Sequence, residues 1–243
     1  MNTIILDHQY SHLDAAIQKL ADSDDLKRTE YLMHEIFIWH PGAERIERFL
    51  EHLYRSPRRY RPLGMYICAP SGQGKTQLLH AFERKYGTTP LAKGQLRALP
   101  VVYCQMHEAA ESKDMDVQLL SAAGLPIPRN DRALRTAVTE GFQRLGVRLV
   151  LLDEIHNVQY AKRPQQMCAW LRMISNVLQT PIVLSGNDTF EPYLQEFELS
   201  SRWPVKVNLP LWAPGSDLEH FLIGWERALP LRLPSYLTRR KLQ

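Results

Sequence analysis

Five stretches of the chain are apolar at nearly every position: GMYICA at 64–69, PVVYCQM at 100–106, VRLVLLD at 147–153, PIVLSG at 181–186 and PVKVNLP at 204–210. A strand with one face in water would alternate apolar and polar residues, so short runs of unbroken apolarity predict strands covered on both faces. Between them lie segments with helical periodicity: KTQLLHAFERKY, DMDVQLLSAA, RALRTAVTEGFQRL and PQQMCAWLRMISNVL. Strands alternating with helices build a parallel sheet packed between helices, which predicts an α/β fold with five parallel strands.

The flanks have a different pattern. Residues 1–60 form a mostly helical lead-in, in which ERIERFLEHLYRS sets Ile46, Phe49, Leu50 and Leu53 on one helical face. Trp170, Met173 and Val177 likewise share a face and are expected in the core. After Leu211-Trp212, SDLEHFLIGWERAL reads as one amphipathic helix, followed by the proline-punctuated LPLRLPSYLTRRKLQ. The expected division is thus a lead-in at 1–60, a core at 61–212 and a small helical appendage at 213–243, too short for a domain of its own.

Composition adds little that discriminates. The 243 residues are 44% hydrophobic, ample for a buried core, and the formal net charge of +4 permits an anionic partner without demanding one. Cys68, Cys104 and Cys168 lie far apart with no metal-ligand spacing, so buried reduced thiols are expected. The N-terminal stretch lacks a basic leader followed by an apolar core, and no apolar run approaches the ~18 residues of a membrane span. The expectation is a cytoplasmic protein with no membrane partner.

Chemistry enters at the end of the first strand. Ala69-Pro70-Ser71-Gly72-Gln73-Gly74-Lys75-Thr76 joins a strand to a helix, the setting in which backbone N–H groups and a helix N-terminus cradle phosphate. Pro70, Ser71, Gly72, Gln73, Gly74 and Gln77 are the expected nucleotide contacts. Lys75 would neutralise the β- and γ-phosphates of ATP, and the Thr76 hydroxyl would ligate Mg²⁺. Ala69 stands where such loops usually begin with glycine, and a methyl group is tolerable there if φ stays negative.

Three further positions complete the expected site. VRLVLLDEIHNV ends a strand in two carboxylates, with Asp153 to hold the metal through water and Glu154 to polarise the attacking water as general base. The same pair also fits a helix N-cap region. Asn187, at the end of PIVLSGND, is a candidate to hold the lytic water or sense the γ-phosphate; an Asx turn is the alternative. Arg202, just before the last strand, could reach a neighbour's γ-phosphate in an oligomer. His156, next to the carboxylates, reads as a local hydrogen-bonding residue.

The order of these elements resembles the AAA+ ATPases. More narrowly, RPLGMYICAPSGQGKT, VVYCQMHE, GVRLVLLDEIHNV, PIVLSGND and LSSRWPVKVNLPLW with ALPLRLPS look like the transposition regulators called TniB or TnsC, with IstB more distant. The resemblance implies an ATP-dependent protein of the bacterial cytoplasm, nucleoid-associated, that assembles as a ring or filament on double-stranded DNA. It implies recruitment of a DDE transposase with a TniQ-like adaptor, in some systems with a CRISPR effector complex. It assigns Lys75 and Thr76 to the loop, Asp153 and Glu154 to metal and base, Asn187 to the first sensor and Arg202 to the finger. The C-terminus stops soon after LPLRLPSYL, so the helical lid of the family is expected in short, apparently truncated form, with Arg232 a weak candidate for its sensor. Trp39-His40-Pro41 would border the adenine, or else form a packed lead-in turn.

In the resembling proteins DNA lies in the pore, held by residues after the second strand. Here that segment, HEAAESKDMD, is mainly acidic and offers Lys113 alone. PRNDRALR adds Arg129, Arg132 and Arg135, which would share one face if helical. A solvated helix face explains them equally well. RSPRRYRP, with Arg55, Arg58, Arg59 and Arg61, is read as a linker or subunit contact. Two other activities fit a phosphate loop: a helicase-loader-like AAA+ ATPase, and a monomeric small-molecule kinase that would need no Arg202.

Overall fold

The computed structural model describes residues 10–87, 98–108, 110–209 and 211–238. The expectations about a leader, and the extreme ends of the lead-in and appendage, fall outside them. Among the described residues the chain runs α1 (Ala15–Ala21), α2 (Asp25–His34), α3 (Pro41–Arg55), β1 (Met65–Cys68), α4 (Lys75–Lys85), β2 (Val101–Gln105), α5 (Ser112–Ala122) and α6 (Asp131–Arg144). It continues through β3 (Leu149–Asp153), a 3-10 turn at Ile155–Tyr160, α7 (Pro164–Leu178), β4 (Ile182–Gly186), α8 (Glu191–Glu196), β5 (Val205–Asn208) and α9 (Ser216–Ala228). It divides into two compact units, Arg45–Leu211 and the combination of Met1–Glu44 with Trp212–Gln243.

The larger unit holds the sheet. Its order is β2-β3-β4-β1-β5 and every strand pairing is parallel. Every residue of β1, β3 and β4 is buried, whereas the edge strands β2 and β5 each leave positions exposed. The five apolar runs are therefore the five strands, and the least uniformly apolar, PVKVNLP, is an edge. Strand order places the ends of β1, β4 and β3 side by side. The chain leaves β1 toward β2 on one flank and returns from β4 to β5 on the other, so a crevice opens at the C-terminal ends of the central strands.

Helix packing follows the apolar stripes with two adjustments. Helix α3 buries Ala43, Ile46 and Leu50 but leaves Phe49 40% exposed. Helix α7 buries Met167, Trp170, Leu171, Ile174 and Leu178, whereas Met173 and Val177, expected in the core, are exposed. The inward stripe is centred between Trp170 and Leu178, and Met173 lies more than a quarter turn from it. All three cysteines are free and buried, as their spacing implied.

The smaller unit is held by links between its first and last segments. Asp14 N–H donates to the Arg227 carbonyl at 3.0 Å, and the Arg227 guanidinium meets the Asp14 carboxylate at 2.8 Å. His40 packs edge-on against Trp212 and Phe221, and Trp39 against Phe37. This is the packed lead-in turn that was the alternative to an adenine wall. Arg232 donates to the Ala21 carbonyl at 3.3 Å.

Candidate nucleotide site

The loop after β1 has the conformation its glycines permit. Gly72 and Gly74 both sit at φ +79°, a region that other residues rarely occupy, and a Cβ built on either meets nothing within 4 Å. Gly74 is the N-cap of α4, so the first N–H groups of that helix face the loop without side-chain caps. Ala69 keeps a negative φ, is buried, and extends the ladder by donating its N–H to the Gly186 carbonyl at 3.0 Å. Its methyl group thus stands in strand backbone rather than in the turn, and the cradle begins one residue later.

Lys75 turns back into this cradle. Its buried ammonium donates to the carbonyls of Ala69 at 2.8 Å and Pro70 at 3.0 Å. Among the described residues Lys75 has two neutral acceptors and no ion-pair partner, an arrangement that suits a phosphate oxygen as a further partner.

Thr76 and Asp153 are brought together across the sheet. The Thr76 hydroxyl donates to Asp153 Oδ2 at 2.6 Å, although the two residues come from separate motifs. Asp153 is fully buried at the end of β3; its Oδ1 accepts the Glu154 N–H at 2.9 Å and its Oδ2 the Tyr103 hydroxyl at 3.2 Å. A hydroxyl and a carboxylate are hard oxygen donors, suited to a magnesium ion that takes its other ligands from phosphate and water. The residues fit both groups: Thr76 and Asp153 would hold Mg²⁺, and Lys75 with the loop amides would hold the phosphates.

Glu154 follows in a left-handed conformation, φ 56°, with its Oε2 3.2 Å from His156 Nε2. Asn187 lies at the end of β4, where its Oδ1 accepts the Thr189 N–H at 3.1 Å and the Thr189 hydroxyl at 2.6 Å. That is the Asx turn foreseen as the alternative. Its position beside the loop is nevertheless fixed, because the buried Tyr66 hydroxyl donates to the Asn187 carbonyl. Burial raises the Tyr66 phenol well above its ordinary value, with the Cys68 thiol adding to it.

Arg202 is elsewhere. It precedes β5, its carbonyl accepts the Gly64 N–H at 2.7 Å, and Met65 pairs with Val205. The phosphate loop leaves the other end of β1, so about 13 Å of strand separates the two at ~3.3 Å per residue. The residue is 9% exposed, and its guanidinium donates to Asn176 Oδ1 at 2.5 Å. Burial lowers its pKa, and the neighbouring Arg61 adds to the effect. Arg202 is remote from the phosphate loop of its own chain.

The basic residues considered for DNA separate into two kinds. Arg129 lies before α6 and Arg132 on its first turn, both exposed. Lys113, on α5, is exposed and 3.9 Å from Asp131. Arg135 is different: its guanidinium is bonded to the buried Asp116 carboxylate, with 2.7 Å the shortest contact. Arg129, Arg132 and Arg135 do not form one face, because α6 begins at Asp131. Of the RSPRRYRP arginines, Arg58 donates to the Val147 carbonyl at 2.9 Å, tying that segment to the start of β3.

Sequence reading overlooked Tyr103 and Tyr66. Each is a hydroxyl-bearing ring inside an otherwise apolar strand, next to a motif, and that was the available signal. Tyr103 also stacks on His80 of α4 at 4.0 Å between ring centroids. Burial, with the Asp153 charge beside it, raises the Tyr103 phenol, which keeps it a donor to that carboxylate.

The family model described as bacterial TniB protein matches residues 28–214. No curated protein matches the sequence. Among solved structures, the Orc1 protein of Aeropyrum pernix in complex with DNA superposes with a TM-score of 0.57 at 18% identity, over 79% of this chain and 52% of that one. The Walker-type ATPase PABY2304 of Pyrococcus abyssi gives 0.49 at 16%, over 82% and 61%. AMPPCP-bound DnaA from Aquifex aeolicus gives 0.46 at 19%, over 72% and 49%. The chain thus spans about half the length of the solved structures it matches. The fold is that of the AAA+ P-loop ATPases.

Proposed function

The chain belongs to the bacterial TniB family, and on that premise we propose that it is an ATP-dependent regulator of DNA transposition. It would assemble on double-stranded target DNA and recruit a DDE transposase together with a TniQ-like adaptor, with a CRISPR effector complex as a further partner in guided systems. The observation that carries the ATPase reading is the 2.6 Å contact between Thr76 and Asp153, which joins the phosphate loop to the carboxylates of β3. Bound ATP with Mg²⁺ supplies an activated γ-phosphoryl group. The protein's part is to hold and orient: Lys75 and the loop amides offset phosphate charge, Thr76 and Asp153 fix the metal, Glu154 takes the proton of the attacking water and Asn187 helps place that water.

In this reading 61–212 is the nucleotide-binding core, 1–60 a lead-in and 213–243 a partial lid. Arg202 serves the pocket of an adjacent subunit, which its distance from the home loop supports. Exposed Lys113, Arg129 and Arg132 supply phosphate contacts, and repetition along an assembly compensates for their small number. No helix among the described residues is long and apolar enough to cross a membrane.

Electron microscopy of the full chain with duplex DNA and a slowly hydrolysed ATP analogue tests the reading. Rings or helical filaments around duplex, absent with Lys75→Ala or with ADP, are expected. A protein that stays monomeric on DNA in every nucleotide state overturns it, and assembly on single strands alone would point to a helicase-loader role.

A further inference from the structure

Resting on the hydrolytic reading of the same site, we propose that His156 positions the Glu154 carboxylate for catalysis. The contact is direct, with His156 Nε2 3.2 Å from Glu154 Oε2, and both side chains are largely sheltered, at 17% and 29% exposure. The other ring nitrogen, Nδ1, is buried and has no hydrogen-bond partner among the described residues. A proton on Nε2 would face the carboxylate at ion-pair distance, and this tautomer is assigned from the network.

The ring lies beside the end of β4, in a turn that is itself anchored. A Cβ built on Gly186 would approach His156 Nδ1 to 3.4 Å and His156 N to 3.3 Å, so the imidazole lies against the last residue of β4, one position before Asn187. Asn157 anchors the same turn through its Nδ2–H on the Met106 carbonyl at 2.9 Å. Glu154 is itself in a conformation that glutamate rarely adopts, φ 56°, and its N–H is committed to Asp153 Oδ1 at 2.9 Å. With the backbone so fixed, the side chain alone sets where the carboxylate lies.

A general base is most effective when a third group orients it and one oxygen is left for the proton. Holding Oε2 leaves Oε1 for the lytic water. Glu154 is the catalytic residue here; His156 touches neither water nor phosphate and acts through it.

The test uses the full chain with Mg²⁺ and ATP and the variants H156A, H156Q, E154Q and the double variant, with thermal melts to confirm folding. H156A is expected to lower kcat about tenfold, in the range for residues that orient a catalytic group, with KM within about twofold. H156Q, whose amide can still donate to the carboxylate, is expected to recover most of that loss. In the E154Q background H156A should change the residual turnover no further. An equal loss in both backgrounds, or unchanged kcat in H156A alone, overturns the proposal.

A nucleotide-free measurement separates this failure from failure of the hydrolytic reading. Nitrogen-15 NMR of the histidine side chains should show a slowly exchanging His156 Nε2–H resonance that moves or vanishes in E154A. If the wild type turns over no ATP beyond the Lys75→Ala control, hydrolysis fails while this signal still decides the contact. A resonance unchanged in E154A refutes the positioning role.

Discussion

Arg135 grips Asp116 along one edge of its guanidinium: Nε donates to both carboxylate oxygens at 2.9 Å and a terminal amine to Oδ2 at 2.7 Å. The Trp170 indole N–H donates to Oδ1 of the same carboxylate at 2.9 Å. Asp116 is 4% exposed, so this arginine from α6 neutralises, and this tryptophan from α7 solvates, a charge that α5 carries inside. The network joins three helices on one side of the sheet.

Removing one partner of such a pair leaves an uncompensated buried charge, which destabilises by ~3–5 kcal/mol. Arg135→Ala is therefore expected to lower stability by about that amount in urea titrations. Arg129→Ala and Arg132→Ala, on exposed side chains, should stay within ~0.5 kcal/mol of the parent. DNA binding should separate the same residues the other way. Loss of Arg129 or Arg132 should flatten the dependence of log affinity on log salt by ~0.9 per phosphate contact, and a folded Arg135→Lys variant should not.

Gly64 tolerates no side chain. A Cβ there would lie 2.2 Å from the Ile182 carbonyl oxygen and 2.4 Å from Trp203 Nε1, and that indole already donates to the same carbonyl at 2.8 Å. Backbone cannot yield as a flexible side chain would. Gly64→Ala is expected to destabilise by ~3 kcal/mol or more, read as a collapse of soluble yield or of the thermal midpoint. A melt within a few degrees of the parent would show that β1 can shift against β4.

Alkaline pH should weaken the fold through its thiols. Burial pushes Cys104 up to about 12 from its ordinary 9.0, and burial does the same for Cys168, with Arg172 nearby pulling slightly the other way. Below pH 9 both thiols are protonated in either state and the contribution is fully present. Above it the unfolded chain ionises while the native chain does not, so the native state binds more protons and stability falls as pH rises. The slope approaches ~1.4 kcal/mol per pH unit for each thiol. Denaturation at pH 8.5, 9.5 and 10 should show a shallower decline in the Cys104→Ala, Cys168→Ala double variant, and parallel lines would refute the assignment.

The sequence made the sheet and the phosphate loop legible because both are written locally. Short apolar runs bounded by turn residues and alternating with helical segments point to strands of a covered sheet, and Gly72, Gly74, Lys75 and Thr76 carry their geometry in their types. Strand partners are not written locally, and so the Tyr103 hydroxyl on Asp153 and the Tyr66 hydroxyl on Asn187 went unseen. Arg135 was misread for the same reason. Spacing set it beside Arg129 and Arg132, but the carboxylate that captures it comes from α5, and only packing of α5 against α6 reveals the pair. Asn187 could be placed at a strand end from sequence and its Asx turn foreseen as one of two readings, but not the capture of its carbonyl by Tyr66.

Arg202 poses the question of which pocket it serves. It sits at the N-terminal edge of the sheet, with β1 between it and the loop, so hydrolysis in its own pocket cannot use it without refolding β1 and β5. If it completes a neighbour's pocket, Arg202→Ala should lower turnover by ~10³ while ATP affinity per subunit stays near the parent value. Its bond to Asn176 makes a stability loss expected too, so the decisive experiment is mixing. Arg202→Ala subunits keep an intact pocket, and Glu154→Gln subunits keep the arginine. Neither should hydrolyse ATP appreciably alone, whereas mixed assemblies should regain turnover wherever a Glu154→Gln subunit offers Arg202 to an Arg202→Ala pocket. Recovery requires two chains in contact and an arginine that acts across the boundary. Absence of recovery, in mixtures shown by microscopy to co-assemble, would confine Arg202 to its contact with Asn176.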